Sequence, residues 1–117
     1  MGKQRKKTWN LPFDPIATAP YIGEVYDAVP SFTVATATTD YDLDTQQATA
    51  FSNIEVARLV ILWTDQDISI KLNSTSNPAI TVNAGDSPME LRDAVQVTNI
   101  YISNASGSTA NIRVMLV

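Results

Sequence analysis

Apolar and polar positions alternate most clearly in the second half of the chain. Ile68, Ile70 and Leu72 are separated by Ser69 and Lys71, and Ala110, Ile112, Val114 and Leu116 by Asn111, Arg113 and Met115. Successive side chains of a strand leave opposite faces, so each run predicts a strand with one buried and one wet face. Residues 54–63 are apolar on both faces apart from Glu55 and Arg58, which predicts a central strand. Three residues apart, that pair would point to opposite faces, and one of the two is a candidate intersubunit contact. Residues 31–40, rich in Thr and Val, predict the first strand of the body. Residues 41–50 are polar and fit a loop or a weak edge strand. A short strand is predicted over 79–83, and Met89, Val95 and Val97 lead into another over 99–103.

Turn signals separate these runs. Residues 64–67 turn the chain, Asn77-Pro78 breaks the polar loop 73–78, and Gly85 is expected to supply unusual backbone angles in the turn 84–88. Residues 104–108 read as a hairpin loop. About seven or eight short strands with turns every ~8–12 residues predict an all-β fold, a jelly-roll-like antiparallel β-sandwich. No helical period is sustained beyond residue 30, and no unit repeats at fixed spacing, which argues against a solenoid or propeller.

The first thirty residues have another texture. Residues 8–30 hold four of the six prolines, interleaved with Trp9, Phe13, Tyr21 and Tyr26. Proline lacks the amide donor and biases its predecessor toward extended backbone, which argues against a helix or a central strand. The aromatic content is too high for a solvated linker. The segment therefore reads as an extended N-terminal arm, residues 1–30, ahead of a sandwich domain, residues 31–117. The aromatics would anchor the arm to a surface. Extended arms exchange readily between protomers, which favours a neighbour's surface, and packing on the protein's own sandwich is the alternative.

Charge divides the chain at the same place. The basic tip, residues 1–7, carries Lys3, Arg5, Lys6 and Lys7 and no acid; the other four basic residues stand against all twelve acids. A basic tip on an acidic body fits docking onto an acidic neighbour, through contacts that salt would weaken; a solubilising tail is the plainer reading. Four cations could also meet phosphates. The acidic body and the lack of interleaved aromatic and basic residues argue against nucleic acid as the partner. No run of about 18 apolar residues is present, so no membrane helix is expected. The residues after the basic tip, Thr8 to Pro12, do not form the apolar core of a secretory leader.

The chain contains neither cysteine nor histidine. Disulfides, thiol nucleophiles, the usual zinc sites and every histidine-based mechanism are thereby excluded. Carboxylate chemistry is the remaining possibility. Asp40, Asp42 and Asp44 would share one face of a strand and could hold a cation, but Thr45 and Phe51 stand where a calcium loop starting at Asp40 needs Gly and Glu. Asp65 and Asp67 lack a nucleophile or metal partner and read as turn-shaping residues. No catalytic, metal or cofactor site is predicted. The triplets starting at Asn73 and Asn104 match the glycosylation pattern by chance.

Several pieces of the second half together resemble a small β-module found in virion proteins of tailed bacteriophages. They are Trp63-Thr64-Asp65-Gln66-Asp67, Ile70 to Asn73, Ile80 to Val82 with Ala84 and Gly85, Ile100 to Asn104 with Gly107, and Ile112 to Leu116. The resemblance covers about half of the chain and marks fold only, so it transfers no site residues. It implies a non-enzymatic structural subunit: a capsid decoration, or cement, protein assembled in the host cytoplasm and carried on the virion. Such subunits often form homo-oligomers, trimers above all, and brace the major capsid protein or other virion subunits with terminal arms. A neck, tail or fibre subunit touching the host surface is the second expectation. A carbohydrate-binding sandwich with Trp63 or Tyr101 as a stacking platform is the third, although Trp63 sits in so apolar a run that it is expected in the core.

Overall fold

The computed structural model describes residues 25–117. The described residues form eight strands: β1 Asp27–Val34, β2 Thr38–Asp42, β3 Ala57–Thr64, β4 Ile68–Leu72, β5 Ile80–Val82, β6 Met89–Val97, β7 Ile100–Asn104 and β8 Ala110–Leu116. A helical turn, α1 Leu43–Gln46, follows β2, and a 3-10 turn, Ala84–Asp86, precedes β6. All pairings are antiparallel. Sheet A has the order β1-β8-β3-β6 and sheet B the order β2-β7-β4-β5. In chain order, every connection except β4 to β5 passes from one sheet to the other.

The expected alternation sets the core. Val60, Leu62, Ile112, Val114 and Leu116 point inward from sheet A, and meet Ile70, Leu72, Val82, Ile100 and Ile102 from sheet B in one cluster. Each fully buried aliphatic side chain contributes about 1.5–3 kcal/mol. Phe32 and Tyr41 stack at 5.8 Å between ring centres, joining β1 to β2. The molecule is an all-β sandwich of two antiparallel sheets. β3 is paired on both sides, by β8 and β6, as its apolar run predicts.

Several boundaries differ from the sequence expectation. The expected first strand, 31–40, is two strands in different sheets, joined by an arch at 35–37 in which Ala37 takes a left-handed φ of 64°. β1 also starts at Asp27, inside the segment assigned to the arm. Pro30 is accommodated because β1 is an edge strand and bulges there: Val29 pairs with Val114 and Phe32 with Ile112, leaving one extra residue on β1. β3 begins at Ala57, which leaves Glu55 outside the strand. A second bulge follows, where the amides of Arg58 and Leu59 both donate to the Val117 carbonyl, at 2.7 and 3.1 Å. Residues 41–50 are neither loop nor strand throughout; Asp42 ends β2 and caps α1 by accepting from the Thr45 amide. Gly85 lies in the 3-10 turn without a left-handed φ; Gly107, at φ 90°, needs glycine's freedom instead.

The expected hairpin at 104–108 is an arch between the sheets, because β7 belongs to sheet B and β8 to sheet A. Asn104 is fully buried there. Its side-chain amide donates to the carbonyls of Val34, at 2.9 Å, and Ser108, at 2.8 Å, and its Oδ1 accepts from the Ser106 amide at 3.0 Å. One side chain thus ties the β1–β2 arch to the β7–β8 arch, and the Gly107 amide adds a bond to the Thr36 hydroxyl.

Candidate interaction surfaces

The loops are held by carboxylates and amides in structural roles. Asp27, only 2% exposed, accepts from the Ser52 hydroxyl, the Asn53 backbone and side-chain amides and the Ile54 amide. Burial pushes its pKa up, but the bonds from Ile54, Asn53 and Ser52 outweigh that and leave it below the usual 3.8. At the opposite end of β1's sheet, Asp65 accepts from the backbone and side-chain amides of Asn111, both at 2.7 Å, which likewise lower its pKa. Asp67 accepts from the Ala84 amide at 2.9 Å. The side-chain bonds of both aspartates thus go to other elements, strand β8 and the 3-10 turn, and not to their own turn as the sequence suggests; that turn is closed by Thr64, whose hydroxyl donates to the Gln66 carbonyl at 2.8 Å. In the triplet 40–44, Asp42 holds the Asn99 side chain at 2.8 Å, the main cause of its lowered pKa, and Asp40 pairs with Lys71 at 3.3 Å. Asp42 and Asp40 are thus committed to different partners, and among the described residues no group of three or more acidic side chains could hold a metal ion.

The larger difference lies between the two outer faces. Register places Ala28, Met115, Ile61 and Glu90 in one row across all four strands of sheet A. Beside this row, Trp63 pairs with Arg113 and Leu59 with Arg92, while Val117 bonds back to Leu59. Leu59, Ile61, Trp63, Met115 and Val117 are each half-buried, so the middle of the outer face of sheet A, on β3 and β8, is apolar, with the exposed Glu90, Arg92 and Arg113 beside it. The Arg113 guanidinium lies over the Trp63 ring at 4.8 Å. Trp63 therefore points outward, contrary to its expected place in the core, and one face of its ring is taken. On sheet B the corresponding rows are Thr81, Ser69 and Ser103, then Lys71 and Tyr101. Ser69, Thr81, Ser103 and Ser106 line a shallow depression beside Asp67.

The charges sort with the faces. Residues 25–117 hold four basic residues against ten acidic ones. Three of the four, Arg58, Arg92 and Arg113, border the apolar face of sheet A, and Arg92 is paired with Glu90 at 2.7 Å. Lys71 alone stands on sheet B.

Of the arm residues expected to form an interface, Lys3, Arg5, Lys6, Lys7, Trp9, Phe13 and Tyr21 lie outside the described residues. Tyr26 is 47% exposed. It borders a hollow lined by Val25, Asp27, Thr49, Ser52 and Asn53, and its carbonyl accepts from the Asn53 side chain. The sheet A surface was missed in the sequence. The signal for it was Met115 and Val117 at the outward positions of β8, facing the outward Ile61 and Leu59 of β3. Among the described residues no helix is long and apolar enough to cross a membrane. Comparison with protein-family models, curated proteins and solved structures finds no match.

Proposed function

We propose that this chain is a non-enzymatic structural subunit of a phage virion, a decoration protein that binds the outside of the head and reinforces it as a homo-oligomer. The observation that carries the reading is the apolar outer face of sheet A, bordered by arginines on an otherwise acidic sandwich. Such a surface is built for a macromolecular contact rather than for a small substrate. The strand orders β1-β8-β3-β6 and β2-β7-β4-β5 support the finer reading of the fold as a jelly roll, in which two Greek keys alternate between sheets. The resemblance of residues 63–116 to phage virion modules and the absence of cysteine and histidine point the same way. Residues 1–24 would add a bracing arm whose basic tip meets acidic groups of a neighbour.

The test adds purified chain, with and without residues 1–24, to heads of the phage that encodes it. The cut falls at residue 24 because β1 begins at Asp27. The full chain is expected to co-sediment with heads and to raise their rupture temperature, and the shortened chain to do both less well. A full chain that neither binds nor protects heads overturns the proposal. Image reconstruction that places a few copies at the neck or tail would move the subunit there.

A further inference from the structure

We infer that residues 8–24 of this chain lie across the outer face of sheet A of the same molecule. The inference concerns the free chain and does not depend on the phage reading; a head that meets this face would displace the segment. Three observations select this occupant. The first is where the segment joins the body. Residue 24 stands just before β1, the edge strand of sheet A, and Asp27 pairs with Leu116. The chain therefore reaches the sheet at the corner where Val117 bonds to Leu59, beside the apolar middle of the face. Val25 and Tyr26, the last residues before β1, are exposed.

The second is reach and area. Extended, residues 8–24 span about 55 Å. Four strands about 4.8 Å apart and about seven residues long measure roughly 19 by 23 Å, so the segment can cross the sheet and turn back within it. A face of roughly 450 Å² is about half of the ~800 Å² that one partner buries in a standard interface. It would hold a separate molecule weakly. A segment tethered at its corner meets it at an effective concentration on the order of millimolar.

The third is composition. Around Leu59, Ile61, Trp63, Met115 and Val117 stand Arg58, Arg92 and Arg113 against one acid, Glu90, which is paired with Arg92 within the chain. Residues 8–24 bring Trp9, Leu11, Phe13, Ile16, Tyr21 and Ile22, the acids Asp14 and Glu24, and no base. Apolar side chains thus meet apolar ones, and carboxylates meet guanidiniums, whereas a second copy would bring the same arginines. Pro12, Pro15 and Pro20 lack the amide that strand addition needs, so the segment packs by its side chains rather than by extending the sheet. The outer face of sheet B, with Ser69, Thr81, Ser103 and Lys71, offers no such match.

Limited proteolysis of the full chain with chymotrypsin, which cuts after Trp9, Phe13 and Tyr21, tests this, with the free peptide 1–24 supplying the undocked rate. In the full chain these bonds are expected to be cut at least ~10-fold more slowly, because cleavage tracks the population in which the segment is off the face. Ile61→Asp and Met115→Glu should each restore most of the peptide's rate, and Thr81→Asp on sheet B should leave the protection intact. Both outward substitutions leave the inward side chains in place, and a thermal melt identifies any variant that has unfolded; the other variant then decides. If both unfold, Asp14→Lys decides: read against a peptide with the same change, it should speed cleavage, and no change overturns the inference. A full chain cut as fast as the peptide overturns it, as does protection that survives both outward substitutions. Protection that fades on dilution from about 100 to 1 μM also overturns it, and places the segment on a neighbour's face. A protected segment in a chain that ignores phage heads would leave this inference standing while removing the proposed function.

Discussion

The two sheets share one core and differ in what they turn outward. Beneath both, aliphatic side chains at every second position are fully buried, Val60, Leu62 and Ile112 on sheet A, Ile70 and Ile102 on sheet B. Above sheet B the intervening positions are hydroxyls, an ion pair and a tyrosine; above sheet A they are Leu59, Ile61, Trp63 and Met115. A sandwich needs only one apolar face per sheet to fold. The second apolar face of sheet A is therefore surplus to folding, and its cost is exposure to water. It is this difference between the faces on which the proposed contact surface rests.

The comparison can be broken most forcefully from below. If the sheets are equal partners in folding, Leu62→Ala under sheet A and Ile70→Ala under sheet B should each cost about 2–5 kcal/mol in urea denaturation. A large cost on one side alone would mean that the sheets differ in support as well as in surface.

Smaller effects come from the loops, which serve both sheets. Asp27→Ala strands the amides of Asn53 and Ile54 and should cost about 2 kcal/mol. Acid should act in the same direction. The folded pKa values of Asp27, Asp42 and Asp65 lie below the unfolded value near 3.8, so their contribution is present above that pH and is lost as pH falls through the folded values. The thermal midpoint is expected to be level down to about pH 5 and to drop below pH 4, less steeply in Asp27→Ala. A midpoint that is unmoved down to pH 2.5 would refute these assignments.

The mildest test compares the faces directly. Arg113→Ala removes the cation from the Trp63 ring, and Lys71→Ala removes the partner of Asp40. Each should cost about 1 kcal/mol or less in the monomer, the usual worth of an exposed cation–π contact or partly exposed ion pair. Only Arg113→Ala should also weaken co-sedimentation with phage heads, and an equal response from Lys71→Ala would erase the contrast between the faces.

How much of this was legible in the residues depended on the range of the interaction. Alternation alone places Ile68, Ile70 and Leu72, and Ala110 to Leu116, because a strand's two faces are a local property. The division of 31–40 into two strands was not legible. Its arch contains Ala35, Thr36 and Ala37, residues equally at home in a strand, and is held by Asn104, 70 residues from Val34. The outward apolar surface was hidden for a related reason. A continuous apolar run in β3 predicts cover on both sides, and the sequence does not say whether that cover comes from the same molecule. The arm residues named from sequence remain a proposal, and only Tyr26 among them has a described position.

The place of β8 has a consequence for how the polypeptide is born. It is the last strand in sequence, yet it sits between β1 and β3 and bonds to both. During synthesis, then, the earlier strands of sheet A emerge with the seat between them vacant, and Val29, Val60 and Leu62 stay wet until residue 116 clears the ribosome. Such a molecule closes all at once and late, when β8 arrives rather than strand by strand, and a nascent chain stalled short of Ala110 would be a target for chaperones and for its own kind.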